Sequence, residues 1–357
     1  MPPARTGVAD YGVAMVEALR QAGVQVNVNS GGDVELYHIG NNPLHRDIHD
    51  RALARPGVVV IHDAVLHHFY LGLGDERRYV EEFVYNYGEW HRGLAEQLWR
   101  NRAQSGSDPA YFAYPMLKRI AESARAVIVH NPGAAAMVNA HVPSAVIAEI
   151  PHLLTTPPPA DPYAVCALRE QWKLPAGAFL FGVFGHLRES KRLGTVLAAA
   201  RRVGAFVLVA GDFVSNDYAR AMEAEFGAAN RIIRVPFLAE RDFWTHAHAV
   251  DTCINLRYPT AGETSGIAIR LMGIGKPVIV SAGLETSRYP DHTCLRVDTG
   301  VAEEEMLAAS MLWLQESPGA AARLGECGRA YVTEGHAAGG VAGRLVAVLA
   351  GGWSAGG

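Results

Sequence analysis

Five short apolar runs recur between residues 179 and 281: Phe179–Phe184, Phe206–Ala210, Arg231–Val235, Val250–Asn255 and Pro277–Ser281. They are rich in β-branched and aromatic residues, and stretches of helical pattern separate them. Strands buried on both faces of a parallel sheet have this composition, because neither face is left to polar side chains. Strands and helices in that alternation confine the second half to a doubly wound α/β domain. Ligands of such domains sit at the carboxyl ends of the strands.

The first half carries a similar set: Val24–Asn29, Val34–Ile39, Val58–His62, Arg125–His130 and Ala145–Ile150. An opening helix over about residues 8–22 aligns Val8, Tyr11, Met15, Leu19 and Ala22 on one face and stops at Gly23. The turn Pro2-Pro3-Ala4-Arg5-Thr6-Gly7 leads into that helix with no strand before it. A doubly wound domain normally begins with a central strand, so the first strand of this domain is expected to be missing. Either a strand-forming segment lies upstream, or the sheet is rearranged so that Val24–Asn29 and Val58–His62 pair directly.

Thr155–Pro162 contains four prolines and can form neither helix nor central strand, so it reads as a link between two domains. A length of 357 residues accommodates two domains. The expected divisions are 1–154, a linker at 155–176, a second domain at 177–332 and a tail or helix at 333–357. The segment Glu76–Arg102 falls outside simple alternation and carries Phe83, Tyr85, Tyr87, Trp90 and Trp99 among mixed charges. It reads first as an amphipathic core helix and second as an aromatic platform for an acceptor.

A formal charge of −4 argues against nucleic acid as a partner. Cys166, Cys253, Cys294 and Cys327 are widely spaced and form no CxxC pair, which fits reduced thiols and a cytoplasmic protein. No apolar run is long enough to span a bilayer, and no signal peptide opens the chain. Peripheral contact with the inner membrane face stays open, as does the oligomeric state.

Three sites carry the chemistry. In Pro259-Thr260-Ala261-Gly262-Glu263-Thr264-Ser265-Gly266 a loop turns into a helix. Thr264 or Ser265 supplies a capping hydroxyl, and Gly266 lets a ligand approach the backbone. Free amides and the helix dipole suit a phosphate. Glu263 is an awkward neighbour for an anion unless it binds a sugar hydroxyl beside a diphosphate. The second site is Gly185-His186-Leu187-Arg188-Glu189-Ser190-Lys191-Arg192, a turn after a strand with three cations, suited to a diphosphate and to a departing nucleotide. Its spacing is neither that of a Walker loop nor of a GxGxxG fingerprint. Gly211-Asp212 ends the next strand: Gly211 permits close approach of a nucleotide, and Asp212 is equally suited to cap a helix.

The third site lies in the first half. His62 and Asp63 end a strand, with His67 and His68 soon after. A His in that place suits acid–base or hydrogen-bonding work near neutral pH. His62 and Asp63 are adjacent and diverge along the chain, so no metal site is read here. His130 and His152 stand at the ends of two further strands and are lesser candidates of the same kind.

The run from Glu263 through Gly266 to Gly275-Lys276-Pro277-Val278-Ile279 resembles the C-terminal half of retaining glycosyltransferases of family 4, the group 1 glycosyltransferases. The resemblance implies two facing Rossmann-like domains, the GT-B fold. It extends in order over nearly the whole chain, more weakly in the first half. It implies that Gly7, Asp10 and Tyr11 form a glycine turn facing the cleft, and that His62 lies near the transferred sugar. Lys191 matches the family's Lys. His186 stands where the family has an Arg, a role that Arg188 takes over. Backbone groups of Val235 and Phe237 would read the nucleobase. The chain departs from the family at Arg270, where a second Glu normally holds the ribose; a guanidinium cannot accept those hydroxyl protons.

The implied activity is transfer of a sugar, with retention, from a nucleoside-diphosphate sugar linked to UDP or GDP. The acceptor is a hydroxyl of a glycan, glycolipid or small molecule. Retention in the family is described as front-face attack assisted by the leaving phosphate. The chain has no Asp-x-Asp pair, so no metal or other cofactor is expected. The competing readings are a sugar phosphorylase or epimerase on the same scaffold, marked by phosphate dependence in the first case, and a catalytically silent sugar-nucleotide-binding subunit.

Overall fold

The computed structural model describes residues 7–227 and 231–351, so Pro2–Thr6 of the opening turn lie outside the described residues. The chain divides into two compact units. Unit 1 takes the residues through Thr155, the short segment Pro259–Thr264 and the residues from Gly335, and unit 2 takes Thr156–Tyr258 and Ser265–Glu334.

Unit 1 is built on a parallel sheet of β1 (Leu36–Ile39), β2 (Val58–Ile61), β3 (Ala126–Val129) and β4 (Ile147–Glu149), in that spatial order. The alternation of side chains along each strand supplies two cores. Val58, Val60, Ala126 and Ile128 pack with Tyr11, Met15 and Leu19 of the helix Gly7–Gln21 and with Val341, Leu345 and Val348 of the helix Ala338–Leu349. Val59, Ile61, Val127 and Val129 join the core that contains Phe69, Tyr79, Phe83 and Tyr111. The expected C-terminal tail is therefore a working part of the first unit: its helix packs beside the opening helix.

Two expectations for this half are corrected. Val24–Asn29 is not a strand; after Gly23 the chain runs irregularly to Leu36. Val24 and Val26 still pack on the core, which explains the apolar pattern. Asn29 has φ 60, and the Asn27 side-chain amide donates to the Gly31 carbonyl at 3.2 Å, so turn geometry replaces a ladder here. Among the described residues it is β1, rather than Val24–Asn29, that pairs directly with β2, Tyr37 opposite Val59, and the sheet continues unbroken to β4.

The aromatic segment forms two helices, Glu76–Tyr87 and Arg92–Arg100, joined by a 3-10 turn over Glu89–His91. Tyr79, Phe83 and Trp99 are buried, as a core helix requires, whereas Trp90 is fully exposed.

Unit 2 is a six-stranded parallel sheet of β5 (Leu180–Phe184), β6 (Phe206–Ala210), β7 (Ile232–Val235), β8 (Thr252–Asn255), β9 (Val278–Ser281) and β10 (Leu295–Val297). The order is β10-β9-β8-β5-β6-β7, with β10 unforeseen from the sequence. From β5 the chain winds outward to β7, then crosses to the far side of β5 with β8. The topological switch point thus lies between β5 and β8, the place where doubly wound folds bind ligands. The middle of the expected linker is helical, and only its two ends are irregular. Asp161 caps the helix Pro162–Gln171, accepting from the amides of Tyr163 at 3.0 Å and Ala164 at 3.2 Å.

Candidate functional site

The turn after β5 and the helix after β8 flank the switch point in unit 2. Ser265 caps that helix, Gly266–Gly273, by accepting from the Ala268 amide at 3.3 Å; of the two hydroxyls considered, Ser265 is the cap. A side chain added at Gly185 would put its Cβ 3.4 Å from Lys191 Nζ and 3.9 Å from Ile267 Cγ1. The Lys191 ammonium and the first turn of the helix therefore converge on one glycine. Lys191 is buried, and its ammonium donates to the carbonyl of Phe184, the last residue of β5. That bond fixes the charge at the carboxyl edge of the sheet. Beside it lies the first turn of the helix, the end whose dipole suits an anion.

The remaining cations of the turn part ways. Arg188 is exposed. Arg192, expected to join the diphosphate site, instead pairs with Glu303 through Nη2 at 2.6 Å and Nε at 2.7 Å. Glu303 is only 2% exposed, so Arg192 neutralises a buried carboxylate and serves the fold. Gly211 has φ +144, and a Cβ there would lie 2.2 Å from the Gly185 carbonyl oxygen, so the neighbouring strand end by itself already requires glycine. Asp212 caps no helix; its Oδ1 accepts from the Phe237 amide at 3.0 Å.

That bond engages the Phe237 N–H, and the Val235 carbonyl accepts from the Gly211 amide at 3.0 Å. The expected backbone contacts to a base are to that extent spoken for. What Phe237 presents is its ring, 40% exposed and stacked on His186 with centroids 6.3 Å apart. Arg270 lies at 2.6 Å from Glu240, with its guanidinium over the rings of Phe243 and Trp244.

In unit 1 the segment Pro259–Thr264 is held by Asn131, which caps the helix Pro132–His141 with its Oδ1. Its Nδ2 donates to the Gly262 carbonyl at 3.0 Å and to Thr264 Oγ1 at 2.9 Å, and the Val65 amide donates to the Ala261 carbonyl at 3.0 Å. Gly262 has φ +71, and a Cβ there would come within 2.7 Å of Ala64 Cβ, so only glycine fits. Glu263 is held in turn: its Oε2 accepts from the Ala261 amide at 2.8 Å.

The carboxyl edge of this unit's sheet is lined with histidines. His38 lies in β1, His62 directly follows β2, His130 directly follows β3, and His152 comes shortly after β4. Tyr11, buried on the opening helix, packs against all four, with centroid distances of 5.6, 4.8, 5.1 and 4.9 Å. Gly7 begins that helix exposed, and Asp10 is exposed in its first turn. Asp63 accepts from the Asn41 amide at 2.8 Å and braces a turn. His62 Nε2 lies 3.0 Å from His38 Nδ1. His130 donates through Nδ1 to the Ile150 carbonyl at 2.8 Å, which leaves Nε2 as an acceptor, buried and unpartnered among the described residues. His67 is bonded to Tyr79 Oη at 2.7 Å and His68 to the Ser105 carbonyl at 2.9 Å, so both are structural. Among the described residues no three His, Cys, Asp or Glu side chains converge to hold a metal ion.

Burial keeps His38, His62 and His130 neutral. It holds His62 well below the ordinary range, reinforced by His130 and His38. His38 is pushed down to about 3 by burial and then by His130. His130 falls to about 4 by burial, against the opposing hydrogen bond to Ile150. Of the two kinds of work expected of His62, a neutral ring fits hydrogen bonding. A stability consequence follows from the sign. His49 and His67, lowered by burial to about 4 and about 3, belong to the same unit. Below pH ~6.5 the unfolded chain takes up protons that the folded unit refuses. The stability these groups confer is complete above pH ~6.5 and is lost as pH falls toward 4. The melting temperature is expected to drop steadily from pH 6.5 to 5, a window above the ordinary carboxylate range; a flat profile there would contradict the burial argument.

Sequence reasoning passed over His38, Asn131 and Glu240. His38 was detectable, since it repeats the pattern of a histidine at a strand's carboxyl end. Asn131 and Glu240 carry no local signal, because their partners lie 131–133 and 30 residues away.

No protein-family model matches the sequence, and no curated protein matches it. Solved structures do. HepE from Anabaena in complex with UDP-glucose is similar at a TM-score of 0.66 and 15% identity, over 98% of this chain and 97% of that one. Sucrose-phosphate synthase from Thermosynechococcus elongatus gives 0.63 and 19%, over 89% and 74% of the two chains. WaaG, a glycosyltransferase involved in lipopolysaccharide biosynthesis, gives 0.59 and 12%, over 97% and 96%. The chain has the α/β fold of these GT-B glycosyltransferase structures.

Proposed function

We propose that this chain is a retaining glycosyltransferase that moves a sugar from a UDP- or GDP-linked donor to a hydroxyl of a glycan, glycolipid or small-molecule acceptor. The observation that carries this reading is the convergence of Lys191 and the helix capped by Ser265 at the switch point of unit 2. A fixed cation beside a helix N-terminus suits a diphosphate, and it stabilises the charge that develops on a departing nucleotide. The exposed Phe237 ring offers a stacking surface for a base. HepE, similar in fold, was solved with UDP-glucose.

In this reading Glu263 accepts a hydrogen bond from a hydroxyl of the donor sugar, and His62 hydrogen-bonds the sugar as a neutral imidazole. Lys191 and Arg188 neutralise the diphosphate as it leaves, and the acceptor is bound by unit 1. The chain has no Asp-x-Asp pair to hold a divalent ion against the phosphates. Transfer is therefore expected to persist in excess chelator. The deciding experiment incubates the protein with UDP-, GDP- and ADP-sugars and a panel of hydroxyl acceptors, and reads the product anomer by NMR. A product of retained configuration, formed with chelator present, is the expected result. Inverted configuration would remove the retaining assignment, and loss of turnover restored by manganese would remove metal independence. Turnover that requires inorganic phosphate would point to a phosphorylase.

A further inference from the structure

The helix Glu240–Ala249 follows β7 after a short link, and its first residue is an oriented carboxylate. The Glu240 side chain is 64% exposed, yet it is not free to wander. Its Oε1 accepts from Trp244 Nε1 at 2.8 Å and from Arg270 Nη2 at 2.6 Å. The Arg270 guanidinium lies 3.9 Å from the Phe243 ring centroid and 4.4 Å from that of Trp244. A planar cation on two rigid rings makes a stable platform. One carboxylate oxygen is thus saturated, while no hydrogen bond among the described residues uses Oε2.

An exposed carboxylate normally samples many rotamers, and a lone surface ion pair adds little stability. Here three side chains combine to point one acceptor oxygen, and Phe237, with its exposed ring, lies three residues before Glu240. Carboxyl-end carboxylates of doubly wound sheets read ribose hydroxyls, because an ionised carboxyl accepts from a diol and offers no competing donor. Resting on the nucleotide-sugar reading above, we infer that Glu240 binds the ribose hydroxyls of the donor nucleotide, and that Arg270 and Trp244 are its positioning residues.

The test measures binding of UDP and GDP against their 2′-deoxy counterparts by calorimetry, in the wild-type protein and in Glu240→Ala and Arg270→Met. The wild type is expected to favour the ribonucleotide by about tenfold, the size of one charge-assisted hydrogen bond. Glu240→Ala should reduce that preference below twofold, while its affinity for the deoxy form stays unchanged. Arg270→Met should reduce the preference partially, without a matching loss for the deoxy form, which a merely structural role would not achieve. Nucleotides that bind with no ribose preference in the wild type, or with the preference intact in Glu240→Ala, would overturn the inference and leave the nucleotide-sugar reading standing. If no nucleotide binds, the function reading falls and takes this inference with it.

Discussion

Glu263→Gln is expected to lower sugar transfer by on the order of 10²-fold while leaving the affinity for free nucleotide nearly intact. The substitution keeps the shape and the oxygen that accepts from the Ala261 amide, so the loop should not move. It removes the charge that holds a hydroxyl of the transferred sugar, which a free nucleotide lacks. His62→Ala should act in the same direction, because it deletes a neutral hydrogen-bonding ring at the edge of unit 1. The measurement is turnover under saturating donor, paired with calorimetry on the nucleotide alone. Wild-type rates in either variant would make that residue structural.

Lys191→Met should weaken nucleoside-diphosphate binding at least tenfold. A charge-assisted contact to phosphate is worth roughly 1.5–3 kcal/mol, and methionine keeps most of the buried stem. The variant also loses the bond to the Phe184 carbonyl, so the melting temperature serves as a control. A fall beyond about 2–4 °C would signal a stability loss of ~1 kcal/mol or more in a domain of this size. An unchanged dissociation constant in a folded variant would sink the diphosphate assignment, whatever the melting curve shows.

Much of the second unit is legible in the sequence. β5 to β9 fall on the five apolar runs within two residues at each end. For β5, β6, β8 and β9 the reason is that strands buried on both faces tolerate few other residues, whereas β7 is a half-buried edge strand. β10 escaped notice because it is three residues long and only its last side chain is fully buried. In the first unit, Val24–Asn29 has the composition of a strand and the structure of a packed irregular segment. Periodicity reports burial of alternate side chains, and a segment laid on a core buries them with or without a ladder.

The sequence by itself determined the class of the fold, the turn after β5, a helix start at Thr264 or Ser265 and the placing of Glu263 just before it. Those features rest on local chemistry: strand composition, capping hydroxyls and glycine. Only the tertiary structure decided the fate of the charges. It paired Arg192 with Glu303 and Arg270 with Glu240, sent Lys191 inward to Phe184, and gathered four histidines around Tyr11. A charged side chain is committed by whichever opposite charge or carbonyl the fold brings within about 3 Å. Such partners lie up to 111 residues away in this chain, and no local pattern encodes them.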